Sequence, residues 1–382
     1  MITNDILYIG VDDKTIDLFE GQYVVPNGIS YNSYVIMDEK IAVMDTVDKR
    51  KTAEYLENLE KALAGRQPDY LVISHVEPDH ASSVKAVMEK YPDIKPVGNA
   101  KTFPLLSQYF DLDLSNAVTV KEGDQLSLGR HQLTFVMAPM VHWPEVMVAY
   151  DSCDKVLFSA DGFGKFGALD ADEEWLCEAR RYYFNIVGKY GLPVQALLKK
   201  ASALDIQIIC PLHGPILKEN LGYYLDLYNT WSSYEPESEG IFIAYASLHG
   251  NTAQAAAKLS ELLTQKGCPK VVMADLARDD MAESLENAFL YGTVVLAASS
   301  YNSGVMPFME DFLHHLKIKN YQKRTIALIE NGSWAPSAIR TMKEILSQMQ
   351  NITIVEPTVT IRGAVKEEDI KNLEALADVL IG

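Results

Sequence analysis

Along the first part of the chain, short β-rich runs alternate with turns: "YVVPNGISYNSYVIM", "KIAVMD", "DYLVISH", "AVTV", "HQLTFVMAP", "MVAYD" and "KVLFSAD". Helical periodicity falls between some of them, over Lys51 to Ala64 and Ala81 to Lys90, so this region predicts sheets covered by helices. A longer helical stretch, Glu173 to Leu198, follows, and then a buried strand, "DIQIICP". Residues 232 to 240, "SSYEPESEG", are polar and acidic and carry Pro236 and Gly240, which marks a break. Beyond it the rhythm changes. Strands "IFIAYAS", "VVMADL", "TVVLAASS", "TIALIENG" and "ITIVEPTV" alternate with helical stretches near 251–266, 281–291, 306–317, 335–349 and 366–380. Such regular alternation predicts a doubly wound parallel sheet. The expected domains are 1–236 and 240–382, in keeping with a length of 382 residues.

Composition narrows the classes of partner. A net charge of −18 repels phosphate backbones and anionic membrane surfaces, so neither nucleic acid nor membrane is expected. No apolar run approaches the roughly 20 residues that cross a bilayer, and the N-terminal "MITNDILYIG" lacks a basic region before an apolar one, so a cytoplasmic location is expected. Cys153, Cys177, Cys210 and Cys268 are scattered without a CxxC pair and read as buried reduced thiols rather than cluster ligands.

In an open parallel sheet a ligand sits beyond the carboxyl ends of the strands. The first such loop, "SLHGNT", leaves an apolar strand and enters a helix, a placement suited to cradling a phosphate with hydroxyls and backbone N–H groups. It has no P-loop lysine, which argues against a nucleoside triphosphate. The loops "SSYNSGVMP" and "ENGSWAP" follow the third and fourth strands and each carries one large aromatic, Tyr301 or Trp334, able to cover a flat ring. Any one of these is an ordinary turn; three at the same end of one sheet form a site.

The first region concentrates a different chemistry. "SHVEPDH" follows the apolar run at 70–73 and packs His75, Glu77, Asp79 and His80 into six residues. His142 in "APMVHWPE", Asp161 in "FSADGFG" and His213 in "CPLHGP" likewise stand just past apolar runs. Four imidazoles and three carboxylates are too many for one tetrahedral metal and suit two metals if one carboxylate bridges. Two divalent cations against three carboxylates leave a charge of about +1, which a bridging hydroxide neutralises in a poorly hydrated pocket. The hard oxygen donor of Glu77 shifts the preference from zinc towards iron or manganese.

The three loops of the second region resemble those of the flavodoxin domain. That resemblance implies FMN, its phosphate held at Ser247, Leu248, His249, Gly250, Asn251 and Thr252. Its ring would lie between Ser300, Tyr301, Asn302, Ser303 and Gly304 on one loop and Asn331, Gly332, Ser333 and Trp334 on the other. Zinc hydrolases of the metallo-β-lactamase fold carry HxHxDH, whereas "HVEPDH" with His142, Asp161 and His213 resembles the flavodiiron proteins, also called A-type flavoproteins. The resemblance covers essentially the whole chain. It implies a metallo-β-lactamase-like αββα sandwich followed by a flavodoxin-like doubly wound sheet. It further implies one non-haem iron held by His75, Glu77 and His142, a second by Asp79, His80 and His213, and Asp161 as bridge. A short interval from Asp161 to His213 departs from many members, across "GFGKFGALD". Tyr182 and Tyr183 in "RRYYFNI" resemble the place of a tyrosine near the irons; packing is the other role open to each.

The activity implied is reduction of O2 to water, of NO to N2O, or of both. Dioxygen needs four electrons, which a diferrous pair and reduced FMN hold together. Because the sequence carries no rubredoxin-like cysteine pattern, a separate donor is expected, either a rubredoxin or a reduced deazaflavin. The family resemblance also implies a head-to-tail homodimer, or a dimer of dimers, that sets each flavin against its partner's irons. Two other readings remain open at this point: a zinc hydrolase with an appended flavodoxin domain, which leaves Glu77 unexplained, and a non-catalytic redox module.

Overall fold

The computed structural model describes residues 2–382, which form two compact units: residues 2–183 with Leu192–Asn229, and Phe184–Gly191 with Thr230–Gly382. The first unit is built on two sheets. One has six strands in the order Ile6–Tyr8, Tyr34–Ile36, Ala42–Met44, Tyr70–Val72, Lys95–Asn99, Val118–Val120, antiparallel at its first edge and parallel from Ala42–Met44 onward. The other has five, in the order Gln125–Ser127, Gln132–Met137, Met147–Asp151, Val156–Phe158, Ile208–Cys210, with only the last pair parallel.

Period-two spacing decides which side chains meet between the sheets. Tyr34 and Ile36, Ala42 and Met44, and Tyr70 and Val72 from one sheet join Leu133 and Phe135, Met147 and Ala149, and Val156 and Phe158 from the other in a single core. The intervening residues Val35, Val43 and Leu71 are also buried, so the outer face of the first sheet is covered as well. Helix Thr52–Leu63 buries Tyr55, Leu59 and Leu63 at four-residue spacing, a stripe that fits such a cover. This is the αββα arrangement. The predicted 173–198 helix is interrupted: helix Trp175–Tyr182 passes through a π turn, Tyr183–Val187, and a 3-10 turn, Gly188–Tyr190, before helix Gly191–Ala201.

The second unit has a parallel sheet in the order Val271–Asp275, Ser238–Ala246, Tyr291–Tyr301, Gln322–Asn331, Gln350–Ile354. Counted along the chain this is 2-1-3-4-5, the flavodoxin-like order, whose switch point lies beside Ser238–Ala246. Unbroken buried runs such as 242–244, 294–298 and 326–329 reflect cover on both faces. On one face Ile243, Val295, Ala297, Ala327 and Ile329 pack with Leu259 and Leu263 of helix Asn251–Gln265 and with Leu373 and Leu376 of helix Glu367–Ile381. The run "ITIVEPTV" divides at Pro357: Gln350–Ile354 pairs with the first half of Gln322–Asn331, and Val359–Ile361 pairs with its end. Among the described residues no helix is long and apolar enough to cross a membrane.

Candidate metal centre and flavin site

The seven candidate ligands gather at one end of the sandwich. His75 lies three residues past strand Tyr70–Val72, and Glu77 is the N-cap of a short helix, Pro78–Ala81. Pro78 at N1 fits the missing donor of a first turn, and that turn then carries Asp79 and His80 side by side. His142, Asp161 and His213 follow strands Gln132–Met137, Val156–Phe158 and Ile208–Cys210 of the second sheet.

Their donor atoms form two groups, His75, Glu77, His142 and Asp161 in one and Asp79, His80 and His213 in the other. Glu77 Oε2 lies 3.1 Å from His75 Nε2 and 3.0 Å from His142 Nε2. Asp79 Oδ2 lies 3.2 Å from both His80 Nε2 and His213 Nε2. Asp161 faces both groups: Oδ2 is 3.4 Å from His75 Nε2 and from His142 Nε2, while Oδ1 is 3.4 Å from His80 Nε2 and 3.7 Å from His213 Nε2. Donors each about 2.1 Å from one cation lie about 3.0 Å apart at octahedral angles and about 3.4 Å apart at tetrahedral ones. The observed separations are edges of such polyhedra. Asp79 Oδ1, Asp161 Oδ1 and His80 Nδ1 are buried without a hydrogen-bond partner, and two of these atoms belong to carboxylates that two cations would satisfy.

Electrostatics agree with a site built for positive charge. Burial opposes protonation of the imidazoles, yet Asp79 and Asp161 raise the pKa of His80 to about 10, and Asp161 and Glu77 raise that of His142 to about 9. Asp161, Glu145 and Glu77 hold His75 well above its ordinary value against the same burial. Burial would likewise raise the carboxyl groups, but the imidazoles hold Asp79 and Asp161 below the usual carboxylate range.

Two buried acids that sequence pattern did not single out support the ligands. Glu145 Oε1 accepts from His75 Nδ1 at 2.8 Å and from the Val76 N–H at 2.9 Å, which fixes Nε2 as the ring nitrogen facing the centre. His213 Nδ1 donates to the Ser30 carbonyl at 2.7 Å with the same effect. Asp45 Oδ1 accepts from the Ser74 N–H at 2.7 Å, holding the start of "SHVEPDH"; burial lifts its pKa to about 6. The Tyr182 ring centroid is 5.5 Å from that of His213, and burial with nearby Asp161 and Asp79 keeps its hydroxyl protonated. Tyr183 instead packs edge-on against Tyr228, at 5.1 Å. A cleft of about 490 Å³, lined by Glu20, Tyr31, Asp48 and Arg50, opens onto Glu77 and Asp79.

In the second unit the three predicted loops line one pocket of about 600 Å³, a size proper to a small cofactor. Gly250, at φ 88°, turns the chain into helix Asn251–Gln265, whose first-turn N–H groups have no intrahelical acceptor. Ser247 Oγ accepts from the Gly250 and Ala253 N–H groups at 3.1 and 3.2 Å, and Ser299 Oγ accepts from the Leu248 N–H at 3.1 Å, so the loop is braced from both sides. "YNSG" is a two-residue hairpin: Asn302 and Ser303 are both left-handed, and Tyr301 pairs with Gly304. Asn331 exchanges hydrogen bonds with Gly363, at 2.8 and 3.0 Å, which brings a fourth loop to the rim. Trp334 is 91% exposed, a flat apolar surface standing over the opening. The pocket also takes in Ser299 and Ala335, which lie in two of the quoted loops without having been named as contacts, and Ser337 and Gly363, which lie outside all three.

Residues 29–214 match the model of the ODP family beta lactamase. An anaerobic nitric oxide reductase flavorubredoxin of Vibrio vulnificus is 30% identical over 88% of this chain and 71% of its own length. A nitric oxide reductase of Moorella thermoacetica is 28% identical over 97% of this chain and 95% of its own. The rubredoxin oxygen:oxidoreductase structure from Desulfovibrio gigas superposes with a TM-score of 0.92 at 25% identity, covering 100% of this chain and 97% of that one. With a donor set divided about one carboxylate, a flavodoxin-like pocket, and this likeness along nearly its whole length, the chain belongs to the flavodiiron protein family.

Proposed function

We propose that this chain is an oxidoreductase that reduces O2 to water, NO to N2O, or both, with FMN in the second unit relaying electrons to two irons in the first. The observation that carries the reading is the division of the donor atoms into two groups with one oxygen of Asp161 turned to each. His75, Glu77 and His142 would hold one iron, Asp79, His80 and His213 the other, and Asp161 would bridge. When bound, the irons supply two adjacent one-electron sites for a diatomic gas, and the flavin supplies the electrons that restore them.

The chain's own residues do the rest. Glu145 and Ser30 orient His75 and His213 through their Nδ1 atoms. Tyr182 packs its ring beside His213 and keeps the proton on its buried hydroxyl. Burial of His75, His80, Asp161 and His213 excludes bulk water. Ser247 and the first turn of helix Asn251–Gln265 bind the flavin phosphate, while Tyr301, Trp334 and the Asn331 loop bracket its ring. Electrons come from a rubredoxin-type donor or, in the second case, a reduced deazaflavin. The reading extends to a head-to-tail homodimer, or a dimer of dimers, which the family resemblance supports, and to a cytoplasmic location.

The test is metal and flavin analysis of anaerobically purified protein, followed by parallel consumption assays with NO and O2. Iron near two and FMN near one per chain, with gas consumed on reduction, is the expected result. Zinc in both positions with neither gas consumed overturns the reading.

A further inference from the structure

The first unit contains a second space of opposite character to the polar cleft. It is an apolar cavity of about 20 Å³, room for one water-sized molecule. Its outer rim is Leu197, Leu198, Ala201 and Leu204, which are partly exposed, and its inner end is Val141, Gly162 and Phe163, which are buried. Val141 precedes His142 and Gly162 follows Asp161, so the inner end is lined by the chain neighbours of two of the seven donor residues.

Its wall carries two hydroxyls, and both are engaged. Ser159 Oγ donates to the Gly162 carbonyl at 2.7 Å, and the Tyr228 hydroxyl accepts from the Phe163 N–H at 2.5 Å. The remaining lining is aliphatic or aromatic. A water molecule there finds none of the two to four polar partners it needs, whereas an apolar diatomic gas forfeits almost no hydrogen bonding on entry. Water and protons have another way in, through the cleft lined by Glu20, Asp48 and Arg50.

We propose that this cavity is a gas passage: it takes up an apolar diatomic molecule between helical residues 197–201 and the second sheet and delivers it behind the Asp161 loop, while the polar cleft exchanges water and protons. The inference rests on the gas-reductase reading above. Xenon, an apolar atom of similar size, is the probe, applied under pressure to crystals of the iron- and flavin-loaded protein. The expected result is xenon in the cavity of the wild type and none in Ala201→Phe, whose ring fills the rim. That variant keeps its iron, its flavin and its kcat at saturating gas, while its KM for the gas rises about threefold or more. If Ala201→Phe folds poorly, Leu204→Trp blocks the same rim from a partly exposed position. No xenon in a wild type that turns over overturns the passage alone, as does an unmoved KM in a variant that excludes xenon. Xenon bound in a protein that consumes neither gas overturns the delivery role together with the reading it rests on.

Discussion

Glu145 offers the sharpest test of how the centre is held. Its side chain is wholly buried, and Oε1 alone serves both the His75 ring, at 2.8 Å, and the Val76 N–H, at 2.9 Å. Glu145→Ala leaves two buried donors without an acceptor, at roughly 1–3 kcal/mol each, so about 2–6 kcal/mol of stability goes before any metal is considered. Glu145→Gln is the cleaner perturbation, because the amide oxygen can still accept while the negative charge behind His75 is gone. Removing the carboxylate partner of a ligating histidine lowers metal affinity about 10–100-fold, which is about 1.4–2.8 kcal/mol. The effect should be confined to the ion of His75, Glu77 and His142, because His213 is oriented by Ser30 instead. Anaerobic competition with an iron chelator should therefore turn one release phase into two, with half the iron leaving early. Both ions leaving together at the wild-type rate, or both weakened alike, would refute the assignment of Glu145 to one half.

Glu77→His restores a hydrolase-like donor set, and we expect weaker iron retention and loss of gas reduction; unchanged turnover would make the carboxylate incidental. Gly250→Ala places a Cβ at φ 88°, a left-handed strain of about 1–2 kcal/mol, so FMN should dissociate about 5–30-fold more readily, read by flavin fluorescence. His131→Asn probes a pair that belongs to neither donor group of the centre. Burial opposes charge on His131, but the hydrogen bond to Asp151, 3.0 Å from Nδ1, and the nearby acids outweigh it and raise its pKa. A raised folded pKa adds stability that is fully present below the unfolded value, about 6.5, and fades as pH rises through the folded one. The melting-temperature gap between wild type and variant should thus be widest in acid and narrow in alkali; a gap that widens with pH contradicts the account.

The donor set was legible because all seven residues obey one rule, a polar side chain just past an apolar strand. The physical cause is that loops leaving strands of both sheets bring their donor atoms within a few ångströms of one another. The rule also has a limit. Asp45 follows strand Ala42–Met44 in the same way, yet it accepts from the Ser74 N–H and belongs to neither donor group. Glu145 fails the rule in the other direction: nothing in "HWPE" marks it, and it acquires its role only when its loop folds against Val76, some 69 residues away. Gly363 reaches the flavin pocket because Pro357 breaks one predicted strand in two and the second piece re-pairs beside Asn331.

Glu77 shows how local and long-range causes combine. As N-cap residue before Pro78 it has an extended backbone, ψ 138°, which separates it from the turn that follows. Asp79 and His80 sit on that turn and join His213, whereas Glu77 stays with His75 and joins His142. One proline thus divides a six-residue motif between two metal positions. A histidine at 77 would keep the division but replace the hard oxygen shared by His75 and His142 with a neutral nitrogen. With one anionic donor fewer, a centre that must pass between oxidation states is less able to hold the higher charge, and that is why Glu77→His should cost redox turnover more than it costs folding.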